Sequence, residues 1–169
     1  MCNMTTNNVT VREFIQKYLI DQIEDVKNSH PYFAFLLMAV GIEFLGRCQS
    51  SKGWNDPKQN ASVYFKDGLD VAPLNKYRVK YPDLYHQLRC GLAHAYHPEG
   101  IILSDKEGAS DISCEEFYAD FVDACKNILA GNAPKTIRDL DVPFFAVTTT
   151  DDGTSTTATT ASPICQTQN

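Results

Sequence analysis

The chain has 169 residues, enough at the usual domain size to fold as one unit without a staple. A composition of 43 % hydrophobic and 21 % charged residues excludes collagen-like and wholly disordered classes. A formal net charge of −6 excludes coating of nucleic acid or anionic membrane by bulk positive charge, while leaving room for a local basic site. The opening Met1–Asn8 shows no basic region followed by an apolar run, so no signal peptide is read there. Six cysteines without CxxC spacing or secretory context read as free thiols, and the chain as cytoplasmic.

In chain order, residues 1–9 read as an N-terminal arm. Val11, Phe14, Ile15, Tyr18, Leu19, Ile23 and Val26 recur at three- and four-residue steps, which predicts an amphipathic helix. Thr10 with Glu13 forms a capping box at its start. A second helix opens near Pro31. Its apolar run, Tyr32 to Leu45, spans 14 residues and is interrupted by Glu43; it reads as a core helix at the centre of the fold, with no membrane span. Gln49 to Asn60 reads as a loop, Ala61 to Leu69 as a short helix and Asp70 to Tyr81 as irregular. Pro82 opens a helix to about Tyr96, stopped by His97-Pro98-Glu99-Gly100. Ile101–Leu103 reads as a short strand. Ser113 with Glu116 caps a helix carrying Phe117, Phe121, Val122, Cys125, Ile128 and Leu129, which Gly131 ends.

The expected architecture is an all-α helical bundle of four to five helices over residues 10–131. Residues 132–169 form a Thr-rich segment that leans to β structure. A hairpin around Asp152-Gly153 is expected for 144–160, with a flexible tail after it.

Chemistry concentrates between Tyr85 and His97. At about 100° per residue, Leu84, Leu88, Gly91, Leu92 and Ala95 gather on one side of this helix. His86, Arg89, Cys90, Ala93, His94 and His97 gather on the other. An amphipathic helix needs a polar face whatever its function, but such a face is usually Glu and Lys. Here it collects side chains that titrate near neutrality or hold phosphates.

Arg89-Cys90-Gly91-Leu92-Ala93-His94 resembles the R-x4-H signature of HEPN domains. The Pro82–Tyr85 run and the apolar Gly41–Gly46 segment are similar to family members too. The resemblance implies an all-α bundle and, for many members, a metal-independent endoribonuclease without cofactors. It works as a homodimer whose two chains line a shared cleft with Arg and His. It assigns Arg89 to the phosphate and His94 to proton transfer, with His86 and His97 at the cleft edge. These residue types suit the chemistry: the 2′-OH of RNA attacks the neighbouring phosphate, histidine moves a proton and a guanidinium stabilises the charged oxygens. The position after the arginine is often polar in active members and is Cys90 here. That departure favours a rival within the same family, a non-catalytic nucleotide-binding or protein-interaction module with a cognate protein partner. Glu43 either orients Arg89 or serves as an interhelical bridge or surface charge.

Lys76-Tyr77-Arg78-Val79-Lys80-Tyr81 interleaves bases with aromatics, a composition suited to RNA or nucleotide contacts. Together with Tyr85 it completes the expected supporting residues; a solvated segment with tyrosines packed beneath it is the plainer reading. Ser51 to Glu99 carries seven bases against five acids, whereas Gly100 to Asn169 carries four against eleven. His86, Cys90 and His94 also offer ligands to zinc, though one straight helix strains a tetrahedral set. A Cys90 thiol nucleophile lacks an evident oxyanion hole mid-helix. Gly41-x4-Gly46 resembles a phosphate loop but lacks its Lys and Ser/Thr.

Overall fold

A computed structural model describes residues 4–50, 60–105, 111–135, 141–150 and 155–159. The chain is mostly α-helical, a bundle with a short strand-containing segment, and divides into two compact units. One comprises Met1–Phe14 with Asp139–Asn169, the other Ile15–Arg138.

In the first unit, strand β1 (Met4–Thr10) pairs antiparallel with β4 (Asp141–Thr150), which pairs antiparallel with β5 (Ser155–Thr159). The two strands of the expected hairpin pair antiparallel, with Val147 opposite Ala158 and Thr149 opposite Ser155. Its turn and the residues after Thr159 lie outside the described residues. The strand at 4–10 was not expected: the N-terminal arm joins the C-terminal segment in one sheet. Helix α1 (Val11–Phe14) follows β1 through the anticipated capping box. The Thr10 backbone N–H donates to Glu13 Oε2 at 2.9 Å and the Glu13 N–H to Thr10 Oγ1 at 3.2 Å. The Thr10 N–H and the Thr10 hydroxyl, which donates to the same Oε2 at 3.0 Å, hold the Glu13 carboxyl below its ordinary pKa.

The helical unit begins with a π-helical segment, π1 (Ile15–Asp21), and α2 (Gln22–Ser29), which bury Ile15, Leu19, Ile20 and Ile23. Next comes α3 (Pro31–Cys48), packed against α2, α4 (Ala61–Leu69), α6 (Cys114–Leu129) and π2 (Tyr85–Ala95). α3 and α4 approach to backbone contact. A Cβ on Gly46 would lie 1.7 Å from the Tyr64 carbonyl oxygen, and one on Gly68 2.0 Å from that of Ile42. The phosphate-loop look-alike thus ends on a packing glycine inside a helix.

α3 is central, yet not buried all round. Phe35, Met38, Ile42 and Leu45 face the core, whereas Tyr32, Phe33, Leu37 and Val40 are 40–52 % exposed. At 18 residues and a mean hydropathy of 1.4 it has the length and composition of a membrane span, with half of that stretch buried in the protein.

The stretch expected to be irregular contains a helix, α5 (Asn75–Lys80), which buries Tyr77. The two-residue strands β2 (Leu103–Ser104) and β3 (Ile112–Ser113) pair in parallel. The cap on α6 is half of the predicted box. The Glu116 N–H donates to Ser113 Oγ at 3.3 Å, while the Glu116 carboxylate turns to Lys76. α6 buries Phe117, Phe121, Val122, Cys125 and Ile128 as its stripe predicted, and Gly131 follows it at φ +79°.

Candidate functional site

Segment π2 follows a turn in which the backbone N–H groups of His86 and Gln87 both donate to the Asp83 carbonyl at 3.0 Å. Leu84, Leu88, Gly91 and Leu92 enter the core as predicted, but Ala95 is exposed. The winding explains it. In a π-helix each N–H reaches five residues back instead of four, so the helix turns less per residue and the core-facing row drifts out of line by Ala95.

The same winding tightens the alignment of Arg89 and His94, which share the polar side of this segment. On an α-helix, positions five apart lie about 140° apart around the axis. With i to i+5 bonding they succeed one another along the same side. Tyr85 and Cys90, also five apart, are near enough for Cys90 to act on the Tyr85 hydroxyl. Burial first, and then Cys90, raise that hydroxyl above its ordinary pKa, and Arg89 opposes the rise.

Arg89 is fixed from two directions. Its Nε donates to Glu43 Oε2 on α3 at 2.9 Å, and its guanidinium carbon lies 6.0 Å from the centre of the Tyr85 ring. The pair is largely sheltered, at 22 % and 19 % side-chain exposure. That shelter raises the cost of leaving either charge unpartnered. Of the readings of Glu43, the structure realises contact with Arg89, as an interhelical bridge. Tyr85 in turn packs edge-on against Phe65, 5.6 Å between ring centres, and against His86 at 5.1 Å.

Beyond Arg89 the surface is open. His94 is exposed and has no hydrogen bond or ion pair to a described residue. His86 is 63 % exposed, 4.0 Å from Asp83. The end of π2 is set by Tyr96, whose φ of +57° places it in the left-handed region and turns the chain back. The returning chain crosses π2 at Gly91, where a Cβ would lie 2.6 Å from the His97 carbonyl oxygen. The Glu99 N–H donates to the Gln87 carbonyl at 2.9 Å, and the Tyr32 hydroxyl donates to the Tyr96 carbonyl. His97, its Nδ1 3.1 Å from the Pro98 oxygen, is therefore carried back over the helix that bears His94.

The basic-aromatic run has a different fate. Tyr77 is buried, and its hydroxyl donates to Asp120 Oδ2 at 2.6 Å; Tyr81 donates to the Asp111 carbonyl at 2.6 Å. Lys76 lies 2.7 Å from both Glu116 and Asp120 of α6. Burial alone would lower the Lys76 pKa, but those two carboxylates raise it above its ordinary value. Lys80 reaches the Asp111 carbonyl at 3.5 Å. So Lys76 serves the contact between α5 and α6, and Lys80 reaches the segment that precedes α6. Arg78, paired with Asp70, lines a cleft that Tyr85 also lines. Lys66 of α4 lines it too, a residue that composition alone did not single out because it stands apart from the Lys76–Tyr81 run.

Among the described residues no three His, Cys, Asp or Glu side chains come together as a metal site would require. Cys48, Cys90, Cys114 and Cys125 are free thiols. No family model, curated protein or solved structure matches this chain.

Proposed function

We propose that the chain is a HEPN-like, metal-independent endoribonuclease or RNA-binding domain that acts as a homodimer. The observation that carries this reading is the Arg89–His94 pair: a guanidinium held by Glu43 and Tyr85, followed one π-turn later by an exposed imidazole. A bound RNA strand would place a phosphate at Arg89. His94 takes the proton of the 2′-OH as its oxygen bonds to phosphorus; the bond to the 5′-oxygen breaks, and that oxygen receives a proton from an acid at the cleft. The products are a 2′,3′-cyclic phosphate and a 5′-hydroxyl. Base and acid are separate tasks, and a second chain's histidine supplies the second. The exposed row of Phe33, Leu37 and Val40, on the helix that holds Glu43, provides apolar surface for that second chain.

The purified chain incubated with structured RNA in excess EDTA tests the reading. Cyclic-phosphate products that vanish in Arg89→Gln and His94→Gln support it; no cleavage and no RNA binding retire it. One feature favours the non-catalytic alternative: Cys90 stands at the position that is often polar in active members. RNA or nucleotide binding without cleavage would select that alternative.

A further inference from the structure

Between α4, α5 and the start of π2 lies a cleft of about 240 Å³. Its walls include Phe65, Leu69, Tyr81 and Tyr85, and it carries two cations, Lys66 and Arg78. The local balance is positive because of Lys66: Asp67, next to it in sequence, is taken by Lys135 at 3.0 Å, whereas Asp70 offsets Arg78. Lys66 is exposed and has no carboxylate partner among the described residues. Arg78 spends one Nη on Asp70 and is 45 % exposed, so donors of its five-donor fork still face solvent.

We propose that this cleft binds one nucleotide unit, its base against the Tyr85 and Tyr81 walls and its phosphate on Lys66 and Arg78. Aromatic walls with adjacent cations match a planar base joined to a phosphate. A sugar phosphate would leave the aromatic wall unused. The volume lies below the roughly 300–1,000 Å³ of pockets that enclose drug-sized ligands, so one nucleotide seated there stays partly in solvent and there is no room for a second. Tyr85 belongs to both places: it lines the cleft and carries Arg89 over its ring. A base seated there leaves the adjoining phosphate of a longer strand next to Arg89. The cleft is then the subsite that positions RNA for the Arg89–His94 pair, and in this role it rests on the proposed function.

The same chemistry reaches the cleft from a free nucleotide or from an RNA chain. The test titrates the full chain with AMP, adenosine, inorganic phosphate and a 2′-O-methylated RNA hexamer, read by amide NMR. AMP should move resonances at Phe65–Leu69 and Arg78–Tyr85, with adenosine and phosphate each binding at least tenfold more weakly. Arg78→Gln and Lys66→Gln should each weaken AMP binding about five- to tenfold. Lys66→Gln removes no ion pair, so it keeps the fold if Arg78→Gln does not. A hexamer that AMP displaces identifies RNA as the source; AMP binding that the hexamer does not compete identifies the free nucleotide.

In cleavage assays Lys66→Gln should raise KM about tenfold and leave kcat near that of the unmodified chain. Shifts that map elsewhere, or AMP affinity and KM that ignore both variants, overturn the cleft while cleavage by Arg89 and His94 still stands. AMP bound in the cleft of a protein that neither binds nor cuts RNA upholds the cleft and retires the nuclease.

Discussion

Helix α5 and segment π2 are near neighbours in sequence and alike in composition, each interleaving cations or histidines with tyrosines. Their fates differ because of what lies opposite. α5 meets the acidic first turns of α6, and Lys76 is absorbed by Glu116 and Asp120 while Tyr77 and Tyr81 are tied down through their hydroxyls. π2 meets the apolar flank of α3, which offers a single carboxylate, Glu43. One cation is thereby sheltered and oriented, and His86 and His94 remain in solvent. A basic-aromatic run therefore becomes a structural contact or a candidate site according to the acid supply of its neighbour, which its own composition does not reveal.

Activity should separate the two regions most widely. Proton transfer by a positioned side chain is worth about 10²–10⁴ in rate. His94→Gln should lower RNA cleavage by about a thousandfold, and Arg89→Gln by a similar factor through lost stabilisation of the charged oxygens. Lys76→Gln should leave the rate within about twofold, because that cation is already committed to α6. Initial rates on one structured RNA check all three. Equal losses in Lys76→Gln and His94→Gln would erase the distinction.

Alkaline stability should separate them in the opposite sense. Burial, followed by the hydrogen bond to Asp120, raises Tyr77, and burial followed by the Glu115 charge pushes Cys114 from 9.0 up to about 11. Both stay neutral in the fold after the unfolded chain has begun to ionise. The unfolded state then binds fewer protons, so stability falls as pH rises. For Cys114 the fall runs between pH 9 and about 11 and amounts to roughly 2–3 kcal/mol at 1.36 kcal/mol per pKa unit. Lys76, also raised, adds stability below its ordinary pKa that is lost above it. Melting temperatures from pH 8 to 12 should decline in the parent chain and decline less steeply in Cys114→Ala and Tyr77→Phe. His86→Ala should follow the parent's slope.

The α5–α6 contact is also the better place to weaken the fold at neutral pH. Asp120 accepts from Tyr77 and Lys76 together, with its side chain 14 % exposed. Asp120→Ala should cost about 2 kcal/mol, read from urea unfolding, since it leaves a part-buried hydroxyl and an ammonium short of a partner. A cost near zero would mean that Glu116 alone satisfies the contact.

Much of this arrangement is legible in the sequence where local rules act alone. The stripe on α6, the Thr10–Glu13 box and the hairpin of β4 and β5 follow from spacing and turn chemistry. Glu43 was legible as the one acid in an apolar helix, which needs a partner. What was hidden depended on distant partners or on winding. β1 reads as Thr and Asn without alternation, and its mate β4 lies at the other end of the sequence. α5 is six residues long, with only Tyr77 to mark an inner face. The π winding of Tyr85–Ala95 leaves no periodic signature that eleven residues could display, and the exposed row of α3 is indistinguishable by composition from its buried one.

Glu43→Gln offers the finest discrimination, because it asks whether the pair is structural, as on α5, or positions a working group. Glutamine keeps an acceptor for Arg89 Nε but removes the charge that offsets the guanidinium. Loss of the charge at about one-fifth exposure should cost about 1 kcal/mol of stability, comparable with a structural bridge. If Glu43 positions Arg89, cleavage should fall about tenfold in kcat with KM little changed, and Glu43→Asp should restore part of it by returning the carboxylate. If the pair is only a bridge, Gln and Asp should alter stability while both leave kcat alone. A drop in KM-controlled binding with kcat intact would instead place Arg89 on the ground-state phosphate, since a contact made equally in substrate and transition state moves KM alone.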